Sequence, residues 1–309
     1  MSRFARIALR VLVVVLAIGF VGYRYLLGRT AVPETTTYVL DMDELRKLAS
    51  SLPGERPLRV NHEQVALASL PRGAIFAGES IRTPEPTIHG AYQVVYPDGY
   101  VVVDSAFDEA GMQAMGNPDA QFSAEGYAAV QRALAGARKI VITHEHADHS
   151  GGFASHAAPE NLVGRLELTR EQLANTEQLD RARFPKSLAG ALTPIEYERA
   201  YALAPGVVLV KAAGHTPGSQ MVFVQLANGK EYLFLGDVAW HMDQIRELWY
   251  RPRLVTDFFL GEDRDAVLAQ FRALHDLAGR EPVQLVASHD IDQRQALVES
   301  GALGANFEF

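Results

Sequence analysis

The stretch Thr143–Gly152 reads THEHADHSGG and places three histidines and two acidic residues within six consecutive positions. The chain has 309 residues but only ten histidines, so this concentration is unusual for a surface loop. Imidazole and carboxylate groups suit Zn, Fe, Mn or Co, whereas softer metal sites use thiolates. The chain has no cysteine, which excludes disulfides, zinc ribbons and a thiolate nucleophile. The stretch therefore predicts part of a metal site that uses no sulfur ligands.

Further metal-binding residue types follow other predicted strands. The β-branched run Lys139–Thr143 (KIVIT) predicts a buried strand that ends at the histidine stretch. His215 follows the strand GVVLVK, Asp237 follows EYLFL and His289 follows VQLVA. Because α/β sheets tend to bind ligands at the ends of their strands, we expect these residues to meet. The expected set contains five histidines and two carboxylates: His144, His146, Asp148, His149, His215, Asp237 and His289.

This ligand supply predicts two adjacent metal ions. His144 and His146 are two positions apart, so on an extended turn both side chains leave the same face and can bind one ion. Asp148 and His149 lie past the turn and can bind a second ion, and a carboxylate such as Asp237 can bridge two cations about 3.5–4 Å apart. Two cations lower the pKa of a shared water, giving a bridging hydroxide that attacks an acyl carbon. Asp148 would accept or relay the proton, so we assign catalytic roles to Asp148 and Asp237.

The rest of the body predicts an α/β fold. Strands are predicted at 91–96, 100–103, 139–143, 206–211, 220–226, 231–235 and 283–287. Helices are predicted at 41–50, 123–137, 264–277 and 293–300, and the charged segment 156–205 is predicted to be helical. Strands that alternate with helices in this way are typical of a mixed sheet covered by helices.

The N-terminus predicts a separate unit. Residues 7–27 form an apolar run of 21 positions that only Arg10 and Arg24 interrupt. A helix of this length reaches roughly 30 Å, about the thickness of the hydrocarbon core of a bilayer. We expect an uncleaved transmembrane or signal-anchor helix, and the short uncharged centre of the run leaves a cleaved signal peptide as the alternative. More arginines precede the run than follow it, which favours an N-terminus inside the cell and a body outside the cytoplasm.

Three segments are therefore expected. Residues 1–30 form a membrane anchor or signal segment, residues 31–71 form a tether and an N-terminal lid region, and residues 72–309 form the catalytic domain. We expect a bacterial protein anchored in the inner membrane with its body in the periplasm, or a periplasmic or secreted protein if the segment is cleaved. The formal net charge of −8 argues against nucleic acid as the main partner, since phosphate contacts need clustered Lys and Arg.

The motifs THEHADHSGG, GHTPGS, LGD and SHD occur in the order found in the metallo-β-lactamase superfamily, which this chain resembles over about residues 72–300. The resemblance implies a four-layer αβ/βα sandwich with two divalent ions, expected to be Zn²⁺, between its two sheets. It implies that His144, His146 and His215 bind one ion, that Asp148, His149 and His289 bind the other, and that Asp237 bridges them. It also implies that Asp104, at the end of YVVVD, orients a ligand histidine.

Among the branches of this superfamily, the C-terminal SHD motif is most similar to that of the N-acyl homoserine lactone lactonases. Those enzymes have a tyrosine three residues past the bridging aspartate, and Trp240 occupies that position here. We therefore expect hydrolysis of a lactone or related small-molecule ester, with Trp240 and His241 near the substrate pocket. The other histidines, His62, His89, His156 and His275, are interpreted as structural or surface residues.

Other functions remain open. A thioester hydrolase of the glyoxalase II type shares the central motifs, but that branch has a C-terminal helical domain, and only about 20 residues follow His289. A redox protein with two irons would need an electron-transfer domain, for which we expect no room. A non-catalytic binding domain stabilised by metal is the third alternative.

Overall fold

Along the strands, successive hydrophobic side chains point to opposite sides of the sheet. In the strand Gly99–Val103, Val101 and Val103 face one side and Val102 faces the other, and all three are buried. Burial on both sides needs a covering layer on each side. The computed structural model, which describes residues 2–309, provides these layers as two sheets packed face to face between helices.

The strands are β1 (Arg59–Pro71), β2 (Pro84–Tyr96), β3 (Gly99–Val103), β4 (Gln121–Phe122), β5 (Lys139–Val141), β6 (Leu166–Glu167), β7 (Ala200–Ala204), β8 (Val207–Lys211), β9 (Gln220–Gln225), β10 (Glu231–Phe234) and β11 (Gln284–Val286). The first sheet has the order β4-β1-β2-β3-β5-β6 and the second has the order β11-β10-β9-β8-β7. Strands β3 and β5 pair in parallel, as do β10 and β11, whereas β2 and β3 pair antiparallel.

The helices are α1 (Arg3–Leu27), α2 (Met42–Ala49), α3 (Arg72–Ile75), α4 (Glu109–Ala114), α5 (Ala124–Gly136), α6 (Ala147–Ala154), α7 (Arg170–Ala174), α8 (Thr176–Arg181), α9 (Lys186–Ala189), α10 (Met242–Arg246), α11 (Arg253–Val255), α12 (Arg264–Ala278) and α13 (Ile291–Glu299). Residues Pro159–Arg165 and Gly236–Val238 form 3₁₀ turns, and Thr256–Leu260 form a π-helix.

Three apolar clusters hold the layers together. The central cluster joins the inner faces of the two sheets and includes Val101 and Val103 from β3 with Leu209 from β8. A second cluster packs α5 and α6 against the outer face of the first sheet, and a third packs α2 and α12 against the outer face of the second sheet. This α/β/β/α order is the predicted four-layer sandwich.

The N-terminal helix α1 stands apart from these layers. It is long and apolar enough to cross a membrane, with a mean hydropathy of 2.4 over 18 residues, and none of that window is buried in the protein. Signal sequences pass the same test of length and composition. The predicted apolar helix is therefore present.

The segment 156–205 differs from its prediction. It is not continuously helical but contains three short helices, α7 to α9, with a 3₁₀ turn and the short strands β6 and β7. Prolines at 185, 194 and 205 limit helix length here, since proline cannot donate the helical hydrogen bond. The strand β1 is also absent from the prediction, although it pairs with β2 over most of its length. The proposed division at residue 72 stays a prediction.

Candidate metal centre

The histidine stretch begins where β5 ends and leads directly into α6. His146 is the N-cap residue of this helix, so Asp148 lies in its first turn. The carboxylate of Asp104, just past β3, accepts hydrogen bonds from the backbone N–H of Thr143 at 2.7 Å and from its hydroxyl at 2.9 Å. A Cβ on Gly152 would lie 1.9 Å from the carbonyl oxygen of Ser105, so only glycine allows α6 to approach this loop. Local sequence thus fixes both the turn and the start of the helix.

One group of side chains converges on a single point from three loops. Nδ1 of His146 lies 3.0 Å from Nε2 of His144 and 3.0 Å from Nε2 of His215. Oδ2 of Asp237 lies 3.4 Å from Nε2 of His215 and 3.7 Å from Nε2 of His144. These four ligand atoms, which we call cluster one, lie within 4.8 Å of one another and could hold a metal ion.

A second group shares Asp237 with the first. Oδ1 of Asp237 lies 3.1 Å from Nε2 of His149 and 3.1 Å from Nε2 of His289. Oδ2 of Asp148 lies 3.7 Å and 3.6 Å from the same two nitrogens. These atoms, which we call cluster two, also lie within 4.8 Å of one another and could hold a metal ion. Asp237 therefore offers one oxygen to each cluster, which is the geometry of a bridging ligand.

The far nitrogen of three imidazoles is occupied by a partner. Nδ1 of His149 donates to Asp104 at 2.9 Å, Nδ1 of His215 donates to Glu262 at 2.6 Å, and Nδ1 of His289 donates to the carbonyl of Ile88 at 2.9 Å. A histidine whose Nδ1 carries the proton in this way presents an Nε2 lone pair to a metal. Each of these three rings therefore turns its free nitrogen into the clusters.

The buried atoms fit bound cations. Nε2 of His149 is buried and makes no hydrogen bond of good geometry within the described residues 2–309. A buried polar atom without a partner is costly, and a metal bond at this nitrogen would remove that cost. In cluster one, Nδ1 of His146 lies 3.0 Å from a ring nitrogen of His144 and 3.0 Å from one of His215, and such a convergence of imidazole nitrogens suits a shared cation.

The buried carboxylates around the two clusters also favour positive charge between them. Burial opposes the charged form of His149, but the carboxylates of Asp237, Asp104 and Asp148 outweigh it and raise the pKa of this imidazole well above its usual value. Burial would raise the pKa of Asp237, but His289 and His149 hold it well below its usual range. Deep carboxylates that stay ionised need neighbouring positive charge, which protons or metal ions can supply.

A buried network behind cluster one was not anticipated from the sequence. Glu262 accepts from Nδ1 of His215 and, at 2.6 Å, from the guanidinium of Arg251, and the hydroxyl of Tyr250 also donates to it. Burial disfavours the ionised carboxylate, but Arg251 and His215 lower the pKa of Glu262 to about 2. Glu262 thus remains charged and fixes the ring of His215. No sequence motif marks it, because it lies 47 residues from His215.

His89, interpreted from sequence as a structural or surface residue, is buried beside cluster two without being one of its ligand residues. This proximity to the cluster is not predicted from the sequence. Nδ1 of His89 is 3.3 Å from Oδ2 of Asp148, and its ring centroid is 4.5 Å from that of His289. Burial and the neighbouring His289 lower the pKa of this imidazole. His89 lies within β2, far from any strand end, so its position gave no signal.

The two residues expected near the pocket have different surroundings. The indole N–H of Trp240 donates to Oδ2 of Asp237 at 2.7 Å, and its ring lies 6.3 Å from the rings of His215 and His289. His241 is in neither cluster, since its Nδ1 accepts from the backbone N–H of Asp243 and caps α10. The structure thus brings Trp240 to the centre and turns His241 to a helix end.

This chain belongs to the metallo-β-lactamase superfamily, because a family model of that description matches residues 85–289, about two thirds of the chain. The matched range contains both candidate clusters.

Among curated relatives, the N-acyl homoserine lactonase AiiA of Bacillus thuringiensis subsp. kurstaki is 24% identical over 157 residues, 51% of this chain and 57% of the relative. An N-acyl homoserine lactonase of a Bacillus species is 26% identical over 156 residues, 50% of this chain and 57% of the relative. The alignment thus spans little more than half the length of the curated relatives that this chain matches.

Solved structures show the same fold. An N-acyl homoserine lactone hydrolase with the product N-hexanoyl-L-homoserine at its catalytic metal centre superimposes with a TM-score of 0.62 at 16% identity, covering 78% of this chain and 96% of that one. AidC, a dizinc quorum-quenching lactonase, gives a TM-score of 0.53 at 14% identity, covering 78% and 92%. These likenesses confirm the predicted sandwich.

Proposed function

We propose that this chain is a metal-dependent hydrolase that uses two metal ions to open a lactone or a related ester. The observation that carries the proposal is Asp237, whose two oxygens face two separate histidine clusters. Relatives described as N-acyl homoserine lactonases support a lactone as the substrate class.

In this proposal the chain holds both ions with nitrogen and oxygen ligands alone. His144, His146 and His215 hold the first, Asp148, His149 and His289 hold the second, and Asp237 bridges them. Zn²⁺ is the proposed metal, since imidazole and carboxylate suit it and a dizinc lactonase shares the fold. When bound, two such ions would activate a water and polarise the carbonyl of the substrate.

The side chains around the ions would perform distinct tasks. Asp148 is the more exposed of the two carboxylates, at 18% against 4% for Asp237, so it can accept a proton from the attacking water and pass it to the leaving alkoxide. The indole N–H of Trp240 holds Oδ2 of Asp237 in place, and its ring excludes water from that side of the carboxylate. We propose that this ring, together with residues 41–90 and 156–205, selects the substrate.

We further propose that α1 anchors the protein in the inner membrane with the catalytic body in the periplasm. The length and hydropathy of α1 and the arginines at its N-terminal end support this placement. A reporter fused after residue 40 tests it: alkaline phosphatase should be active and a fluorescent protein that folds only in the cytoplasm should be dark. The reverse pattern would contradict the placement.

The hydrolase proposal is tested with the wild-type chain, Asp237→Asn and Asp243→Asn. Asp243 is a carboxylate on α10 outside both clusters, so its variant controls for the loss of one charge. We expect about two metal ions per wild-type chain, measured by plasma mass spectrometry. Asp237→Asn should lose metal and reduce hydrolysis at least about 100-fold, whereas Asp243→Asn should keep both.

The substrate panel contains N-acyl homoserine lactones, aryl esters and acyl thioesters. Faster turnover of thioesters would favour the glyoxalase II type, and two bound metals without any hydrolysis would favour a binding domain. Full turnover by Asp237→Asn would refute the bridged two-metal centre.

A further inference from the structure

Two neighbouring phenylalanines lie on the surface of the π-helix Thr256–Leu260. Phe258 is 70% exposed and Phe259 is 72% exposed. Within residues 2–309 and outside α1, they are the only large hydrophobic side chains that are both exposed and adjacent in sequence. Exposing two aromatic side chains together to water is unfavourable, and such patches mark contact surfaces. We call this pair the phenylalanine patch.

The segment that carries the patch is attached to the end of the apolar helix α1. The guanidinium of Arg253, on α11, lies 4.9 Å from the ring centroid of Tyr25, near the C-terminal end of α1. The guanidinium of Arg29 lies 3.6 Å from the ring centroid of Trp249. The hydroxyl of Thr30 accepts from Arg264 at 2.7 Å, which fixes the chain just past α1. The end of α1 is therefore held against residues 249–264.

This attachment sets the height of the patch relative to α1. Tyr25 lies two residues before the end of the helix, where aromatic side chains of membrane helices sit at the level of the lipid headgroups. Phe259 is six residues past Arg253 in helical backbone, which corresponds to about 9 Å along the chain axis. The patch therefore lies near the end of α1 in the fold, shortly after the residue that contacts α1.

We propose that Phe258 and Phe259 insert into the interface of the lipid bilayer and form a second membrane contact beside α1. This inference rests on the proposal that α1 is a membrane anchor. Arg24 and Arg29 are exposed near the contact, and their guanidinium groups suit the anionic headgroups of a bacterial membrane. The half-buried Arg253 is paired with Asp257 at 3.2 Å, so these two charges offset each other and the attraction rests on Arg24 and Arg29. Apolar aromatic side chains flanked by arginine are typical of interfacial membrane segments.

The contact would also orient the metal centre. Val255 directly precedes the π-helix that carries the phenylalanine patch, Leu260 ends it, and both pack against a buried cluster that contains Phe76 and Trp240. Trp240 in turn donates to Asp237. A patch fixed in the membrane would thus add a second point of contact beside α1 and hold the wall of the site at a constant angle to the bilayer.

The native chain has no cysteine, so a single nitroxide label can be placed at any position without removing another thiol. The test uses the full chain in vesicles of equal parts phosphatidylcholine and phosphatidylglycerol. Phe259→Cys reports on the patch, and Val14→Cys reports on the centre of α1. Phe309→Cys is the matched control, since Phe309 is 68% exposed and lies over Arg132 on α5, in the opposite helical layer.

Electron paramagnetic resonance then compares collisions of each label with oxygen, which concentrates in lipid, and with a nickel chelate, which stays in water. We expect oxygen to dominate at position 259 as it does at position 14, and the chelate to dominate at position 309. A label at 259 as accessible to the chelate as that at 309 would overturn the proposal. Shielding from both reagents, with spin–spin broadening between copies, would overturn it in favour of a dimer contact.

Failure of this proposal is distinguishable from failure of the proposed hydrolase. Metal content and hydrolysis of the same labelled chains report on the clusters and do not depend on the depth of position 259. If the label at position 14 were also in water, α1 would not be an anchor and the patch proposal would fall with it.

Discussion

The buried imidazole of His62 should make folding stability depend on pH. This side chain is 2% exposed in β1, and the guanidinium of Arg294 donates to its Nδ1 at 3.3 Å. Burial, and secondarily the positive charge of Arg294, lower its pKa from 6.5 to about 3. A histidine with a lowered pKa binds more protons in the unfolded chain, so its stability contribution is complete above the unfolded pKa and is lost as the pH falls.

The size of the effect follows from the two pKa values. Each unit of difference corresponds to about 1.4 kcal/mol, so the full loss below the folded pKa is about 5 kcal/mol. At about pH 5 the histidine is mostly protonated in the unfolded chain and mostly neutral in the folded one. This difference lowers the free energy of unfolding by about 2 kcal/mol. At about pH 7 the corresponding cost is only about 0.2 kcal/mol. His62 alone should therefore remove about 2 kcal/mol of unfolding free energy over this range.

Urea denaturation followed by circular dichroism measures this loss in wild type and in His62→Gln. Glutamine can still accept from Arg294 but does not titrate, so its stability should fall less between the two pH values. His156→Gln, which replaces a half-buried histidine in a loop, is the matched control for the loss of one imidazole. All samples contain the same metal concentration, so that any pH dependence arising at the candidate metal centre is shared by wild type and variants and cancels when they are compared. Parallel curves for wild type and His62→Gln would refute the reasoning.

Three further changes test packing, positioning and specificity. Gly152→Ala would place a Cβ 1.9 Å from the carbonyl oxygen of Ser105, so urea denaturation should show a loss of about 2–3 kcal/mol, whereas Gly164→Ala, with nothing within 4 Å, should cost little. Glu262→Gln should weaken the hold on His215 and lower metal affinity about 10–100-fold in equilibrium dialysis, and unchanged affinity would contradict a positioning role. Trp240→Tyr should retain both metals but change the ratio of kcat/KM between long-chain and short-chain lactones, and an identical ratio would remove Trp240 from the specificity pocket.

The strands and candidate ligands that could be predicted from sequence share one property. Each is marked by residues that lie close to it in the chain. The apolar runs of β3, β5, β8, β9 and β10 are continuous, because both of their faces are buried in the sandwich. The candidate ligands follow β5, β8, β10 and β11 within a few residues, so a strand end and a metal-binding residue type together are sufficient to predict that they meet.

Strand β1 shows why other elements could not be predicted. Its first half reads RVNHEQ, and Asn61, His62 and Glu63 are all buried there. Asn61 donates to the side chain of Gln93 at 3.0 Å, and Glu63 accepts from the backbone N–H of Phe307 at 2.8 Å. These partners lie 32 and 244 residues away, so a window along the sequence sees only a polar segment. Tertiary hydrogen bonds, rather than hydropathy, allow this strand to enter the sheet.

The same distinction applies to the side chains of the candidate metal centre. The ligand atoms come from local motifs, but the far nitrogens of His149, His215 and His289 are held by Asp104, Glu262 and the carbonyl of Ile88, each from a different element. These hydrogen bonds are made by the folded chain itself and already select the ring tautomer. Ordering these side chains is therefore a part of folding, and the binding of a metal would not have to supply that free energy. Since each cluster takes its residues from both halves of the sandwich, the two sheets must pack before either cluster is complete.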